Sequence, residues 1–196
     1  MTSFSGSIEF DIAPQFGVGL DLTGYSIEDE DADISNVTLH GIYKFNQATS
    51  LGLFYSLDAV HEEEADGFGI EAAHNTSVTS LDGYLGQLDD NNGEEESIIG
   101  ASFRYGLANG FSAIANIDRL SLPDDDFTST NVAVGGAYSY QTATFFAKIG
   151  KHSISFDDGI TAGSDDDNYF TFGADFVFGL SGGSTYKSRS SFTTQF

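Results

Sequence analysis

The chain is written in period 2. From 37 to 45, Val37, Leu39, Gly41, Tyr43 and Phe45 share one face while Thr38, His40 and Lys44 share the other; after a short polar turn, Leu51, Leu53, Tyr55 and Leu57 oppose Ser50, Gly52, Ser56 and Asp58. Such alternation marks a strand with one apolar and one polar side, and two such runs around a tight turn make a hairpin. The unit recurs. Phe4, Ile8, Phe10 and Ile12 alternate with Ser5, Ser7, Glu9 and Asp11, turn at Ala13 to Gln15, and return as Phe16, Val18, Leu20 and Leu22 against Gly17, Gly19, Asp21 and Thr23. Phe68, Ile70 and Ala72 oppose Glu71, turn at 74–77, and are followed by Leu81, Gly83 and Leu85 against Asp82 and Tyr84. Ile99 to Tyr105, Phe111 to Ile117, Val132 to Tyr140, Phe145 to Ile149 and Phe170 to Phe178 repeat the pattern, and 186–196 follows a last turn at 180–184. The alternation predicts twelve strands in six hairpins, within one domain covering 1–196. Tight turns alternate with five acidic connections at 28–33, 61–66, 89–96, 123–126 and 157–167.

Charge sharpens this picture. The chain carries 30 Asp and Glu against 7 Lys and Arg, a formal net charge of −23. That balance excludes nucleic acid as a partner, because its phosphates would be repelled. No cysteine is present, so disulfides, thiolate metal sites and thiol nucleophiles are excluded. Of the 30 acids, 22 sit in the five acidic connections. The others, Glu9, Asp11, Asp21, Asp58, Glu71, Asp82, Asp118 and Asp175, fall opposite the apolar stripes, as do Lys44, Arg104, Lys148, Lys187 and Arg189. Arg119 and Lys151 break the rule, near strand ends.

Two architectures satisfy such sorting. In a soluble sandwich or barrel the apolar stripes turn inward and the charged face meets water. In a membrane barrel the stripes meet lipid and the charged face lines the lumen. No apolar run is long enough for a membrane-spanning helix, which leaves a strand barrel open. The expectation is all-β: an antiparallel up-and-down transmembrane barrel of about twelve strands, each of the roughly 10 residues that a tilted crossing needs. Tyr43, Phe45, Phe103, Tyr105, Phe111, Tyr138, Tyr140, Phe145 and Phe178 gather at the ends of the stripes, where an interfacial girdle belongs. Tyr186, Phe192 and Phe196 share a face of the last segment, whose Ser188, Ser190 and Thr194 are polar. A barrel of ten strands from about 16 to 179, flanked by terminal segments, is the alternative.

Tyr43 to Tyr55, Tyr105 to Phe111 and Phe178 to Ser184 resemble the short inner turns of bacterial outer-membrane porins, and the terminal Phe196 resembles the aromatic end of their assembly signal. The resemblance implies a porin-like barrel in the outer membrane, a diffusion channel in contact with lipid, and no catalytic residue.

On this reading Glu9, Asp11, Asp21, His40, Lys44, Asp58, Glu71, Arg104, Asp118, Lys148 and Asp175 line the lumen. The acidic mouths favour cations among the ions or small solutes that pass, and no cofactor is required. Asp124, Asp125, Asp126, Asp165, Asp166 and Asp167 have the carboxylate oxygens that calcium or magnesium demands, although no segment matches an EF-hand; a solvated rim is the competing role. His152 beside Ser153 and Ser155, and His74 before Ser77, are the candidates for a serine–histidine site. Neighbouring strand residues point to opposite faces, which argues against catalysis. Two further readings stay open: a soluble or secreted acidic β protein that binds a ligand, and a non-conducting barrel with a structural or adhesive role.

Overall fold

A computed structural model describes residues 2–27, 32–60, 63–90, 95–122, 127–157, 162–177, 185–187 and 189. Among them are eleven strands: β1 (Thr2–Ala13), β2 (Phe16–Ile27), β3 (Ala32–Lys44), β4 (Thr49–Val60), β5 (Glu63–Asn75), β6 (Thr79–Asp90), β7 (Glu95–Gly106), β8 (Phe111–Leu122), β9 (Phe127–Tyr140), β10 (Ala143–Asp157) and β11 (Ala162–Phe176). They form one sheet in chain order, each strand antiparallel to the next. The tight turns are built by residues that suit them: Asn109, Gly110 and Gln141 take positive φ values of 59°, 82° and 55°, the backbone that reverses a chain within a few residues.

The strands run for 12 to 15 residues, longer than expected. The excess comes from the acidic segments. Glu63 to Asp66 belong to β5, Asp89 and Asp90 to β6, Glu95 and Glu96 to β7, and Asp165 to Asp167 to β11. Acidic residues disfavour strands when side chains alone are weighed, but here the backbone ladder formed below them continues through them.

The alternation sorts as read. Leu39, Leu53 and Phe176 lie on an outer face at 53%, 64% and 58% exposure, whereas Glu71 on the opposite face is 4% exposed. With no second layer of secondary structure among the described residues to cover it, a single sheet can bury one face only by curling around that face. The inner face is therefore the polar one, opposite to a soluble sandwich. The outer apolar belt carries aromatic rings at its tight-turn edge, where Phe16 packs on Tyr43 at 5.3 Å between centroids and Phe111 on Tyr138 at 4.9 Å. Phe178 lies outside the described residues. At the opposite edge, just past Ile149 and Phe170, the outward side chains turn polar, and Lys151 pairs with Asp166 at 2.9 Å.

The inner face is not wholly polar. Phe54, Tyr84, Leu88, Ile98 and Leu120 form one buried apolar cluster, and Ile42, Ala73 and Tyr186 a second. Inward rings lie against glycines of other strands: a Cβ on Gly86 would stand 2.6 Å from Phe54, and one on Gly100 2.5 Å from Tyr84. Bare backbone is what lets a ring lie against the wall without filling the space beyond it.

The ends of the sheet decide between the two strand counts at the first segment and correct one expectation at the last. β1 pairs with β2 from Thr2↔Ser26 to Ala13↔Phe16, so the first segment belongs to the sheet and a barrel starting at 16 is set aside. Among the described residues of the last segment, Thr185 to Lys187 and Arg189 are not in a strand. Tyr186, expected to face outward, is 1% exposed against the inner face. Hydrogen bonds from inner-wall side chains, described below, outcompete the outward placement that period 2 implied.

Candidate functional site

Period 2 on β3 sets Asn36, Thr38, His40 and Ile42 in a row on the inner face, all nearly fully buried. β2 contributes Asp21, β4 Asp58, β5 Glu71 and β6 Asp82 and Tyr84 to the same face. The sheet's curl brings these side chains together. His40 stands between two carboxylates, with Nε2 2.8 Å from Asp21 Oδ2 and Nδ1 2.7 Å from Glu71 Oε1. Glu71 turns its other oxygen to Arg189, accepting from Nε at 3.1 Å and meeting Nη2 at 3.1 Å. Asp82 lies 3.8 Å from the same guanidinium, whose centre sits 4.3 Å above the ring of Tyr84. The Tyr84 hydroxyl in turn donates to Asp118 Oδ1 at 2.9 Å.

The segment that carries Arg189 is held by wall side chains. The Arg189 N–H donates to Thr38 Oγ1 at 3.0 Å, and its carbonyl accepts from Asn36 Nδ2 at 2.8 Å and from Thr38 Oγ1 at 3.3 Å. Asn36 Nδ2 also donates to Asp58 Oδ1 at 2.7 Å. The Tyr186 ring stacks on His40 with centroids 5.8 Å apart and planes at 21°. Thr185 donates to Glu9 through its backbone N–H at 2.7 Å and its hydroxyl at 3.0 Å. Lys44 pairs with Asp11 and, at 3.5 Å, with Glu9.

The eleven side chains expected to line the interior share one face. Asp21, His40 and Glu71 form a chain that ends on Arg189, Asp58 joins it through Asn36, and Glu9, Asp11 and Lys44 form a second group near the tight turns. Asp118 joins the first through Tyr84, while Lys148 donates to Asn116 Oδ1 at 3.4 Å. Arg104 and Asp175 lie toward the tight-turn ends of β7 and β11, outside both groups. Three carboxylates, Asp21, Glu71 and Asp82, contact one imidazole and one guanidinium, so the cluster is built to hold positive charge. A low-dielectric wall strengthens that attraction.

Alternation assigned Arg189 to the charged face without singling it out among the lumen-lining residues, and it placed Tyr186 outside. The signal was present in Ser188, Ser190 and Thr194, which make a poor lipid-facing stripe. The serine–histidine candidates come apart: Ser153 and Ser155 fall opposite His152, whose Nε2 instead lies 2.8 Å from Ser129 on β9, and His74 meets Thr49 at 3.0 Å. Asp165, Asp166 and Asp167 are successive residues of β11, so their side chains alternate between faces and do not converge. Among the described residues no group of three His, Asp or Glu side chains is arranged to hold a metal ion. Asp124, Asp125 and Asp126 lie outside the described residues.

No family model matches the chain, and no curated protein matches it in sequence. Two solved structures match its fold. One is a KdgM porin in complex with disordered oligogalacturonate, with a TM-score of 0.62 and 12% identity over 90% of this chain and 92% of that one. The other is a KdgM porin with a TM-score of 0.62 and 13% identity over the same shares. At such low identity the likeness establishes the fold, that of a porin-like antiparallel barrel sheet.

Proposed function

We propose that this porin-like sheet belongs to a bacterial outer-membrane barrel that serves as a small channel for passive diffusion of ions or small solutes, with a preference for cations. The observation that carries the reading is the sorting of side chains: a continuous belt of Leu, Ile, Val, Phe and Tyr faces outward while Asp21, His40, Asp58 and Glu71 are buried on the inner face. An outward apolar surface of this extent is stable against hydrocarbon and prone to aggregation in water. Membrane lipid is thus the natural partner of the outer face. Neither a catalytic residue nor a cofactor is needed for passive passage.

The preference for cations is supported by charge. Within the strands the inner face carries Glu9, Asp11, Asp21, Asp58, Glu71, Asp82, Asp118 and Asp175 against Lys44, Arg104 and Lys148. The acidic ends of the strands add to that field, which salt screens over about 8 Å at physiological ionic strength. Oligogalacturonate, found with one of the two porins, is a polyanion; here it would meet like charge, so a different solute class is indicated.

The test is reconstitution in planar bilayers under a KCl gradient. Current with a reversal potential toward the potassium equilibrium value, and a weaker preference at high salt, is the expected result. A reversal potential toward chloride would refute the preference. A second reading, a non-conducting barrel with a structural or adhesive role, is favoured by one observation: Tyr186, Arg189 and the Phe54 cluster occupy part of the interior. Absence of current at every salt concentration, from protein that folds and inserts, would select it.

A further inference from the structure

Arg189 is bound the way a ligand is bound. Glu71 offers one carboxylate oxygen to two nitrogens of the guanidinium, Asp82 approaches from a second strand, and the group's centre lies over the face of Tyr84. Every part of this cradle is braced from outside it. His40 holds the other oxygen of Glu71, and Asp118 holds the Tyr84 hydroxyl. Gly52 leaves the room that Glu71 occupies, since a Cβ there would stand 2.7 Å from Glu71 Cγ. A carboxylate edge beside an aromatic face suits a planar cation with several N–H donors, and suits a compact ammonium less well. The described residues of the segment bearing Arg189, Thr185 to Lys187 and Arg189, contribute no rung to the sheet and are fastened through side chains of Asn36, Thr38, Glu71 and Glu9. Their departure would leave the ladders from β1 to β11 intact.

We propose that Glu71, Asp82 and the Tyr84 ring form a guanidinium-recognition site, that Arg189 is its resident occupant, and that solutes bearing a guanidinium group displace Arg189 and are selected there. The selection of solutes rests on the channel reading above, whereas the site itself does not. Tethering places Arg189 at an effective concentration on the order of millimolar, so a free guanidinium should bind at least about tenfold more weakly to the native chain than to one lacking Arg189.

The full chain in detergent, as wild type, Arg189→Ala and Arg189→Ala/Glu71→Gln, is titrated with ethylguanidinium by calorimetry, with tetramethylammonium as a cation that has no N–H donor. Saturable binding is expected in Arg189→Ala, weaker by at least about tenfold in wild type, lost in the double variant and absent with tetramethylammonium. Arg189→Met, which keeps the apolar stem, replaces the alanine variant if the latter does not show heat-modifiable gel migration. A folded variant that binds no ethylguanidinium, or binds it equally after Glu71→Gln, overturns the proposal. In bilayers, ethylguanidinium should reduce current through Arg189→Ala at lower concentration than through wild type. Binding as described from a protein that passes no current keeps the site and removes its role in selection together with the channel.

Discussion

Leu53 offers the most direct test of where the outer face resides. It is 64% exposed in the middle of the apolar stripe of β4, opposite Gly41 on β3 and Ile70 on β5. Replacing it with arginine has consequences that differ in size between lipid and water. Against hydrocarbon near the midplane of a barrel wall, the charge costs about 2–4 kcal/mol. At about 1.4 kcal/mol for each factor of ten, the folding equilibrium falls by roughly 30- to 1,000-fold. In water the same exposed site would tolerate arginine within about 0.5 kcal/mol. Ser155→Arg serves as the control, because Ser155 faces outward past the belt, beyond Ile149 and Lys151 on β10; near an interface the cost is about 0–1 kcal/mol. Both variants are refolded into lipid vesicles and titrated with denaturant, following tyrosine fluorescence and heat-modifiable migration. A loss at Leu53 several times that at Ser155 is expected. Equal, near-zero effects at the two sites, with protein that remains monomeric without detergent, would refute the membrane assignment.

Other outcomes follow from the interior. His40→Leu removes the group that faces both Asp21 and Glu71, and the two buried carboxylates left behind should lower stability by about 3–5 kcal/mol, measured by the same denaturant titration. Gly86→Val drives a side chain into the Phe54 ring and should cost about 1–3 kcal/mol; combined with Phe54→Leu, a cycle should show a favourable coupling, and simple additivity would count against the contact. Tyr43→Ala removes the ring packed on Phe16, and should cost about 0.5–1.5 kcal/mol more than its lost area alone explains, as measured by a cycle with Phe16→Ala.

Much of this architecture was legible in the chain. Leu39, Leu53 and Phe172 alternate with His40, Phe54 and Thr171, and that period fixed strand identity and which residues share a face. The tight turns at Pro14 and Gln15, at Leu107 to Gly110 and at Gln141 and Thr142 fixed hairpin pairing, because a reversal of two to four residues leaves few registers available. The sorting of Glu71, Arg104 and Lys148 away from the apolar stripe was visible too. Alternation is local, and the backbone enforces it at every residue.

The interior site was less accessible to such reading. Nothing in the spacing of Asp21, His40, Glu71 and Arg189 says that they meet, because period 2 assigns a face and leaves open what lies across from it. Their convergence depends on how the sheet curls and on where the segment after β11 goes, and both are decided by contacts between residues distant in sequence. Tyr186 shows the difference most plainly. Alternation placed it with Phe192 on the lipid side, whereas stacking on His40 and the bonds from Thr38 and Asn36 to Arg189 set it inside. By itself the sequence determined the strands, their order and their two faces, through short-range geometry. Only the tertiary structure decided which charges share a cradle, because that energy is realised when remote side chains are desolvated together.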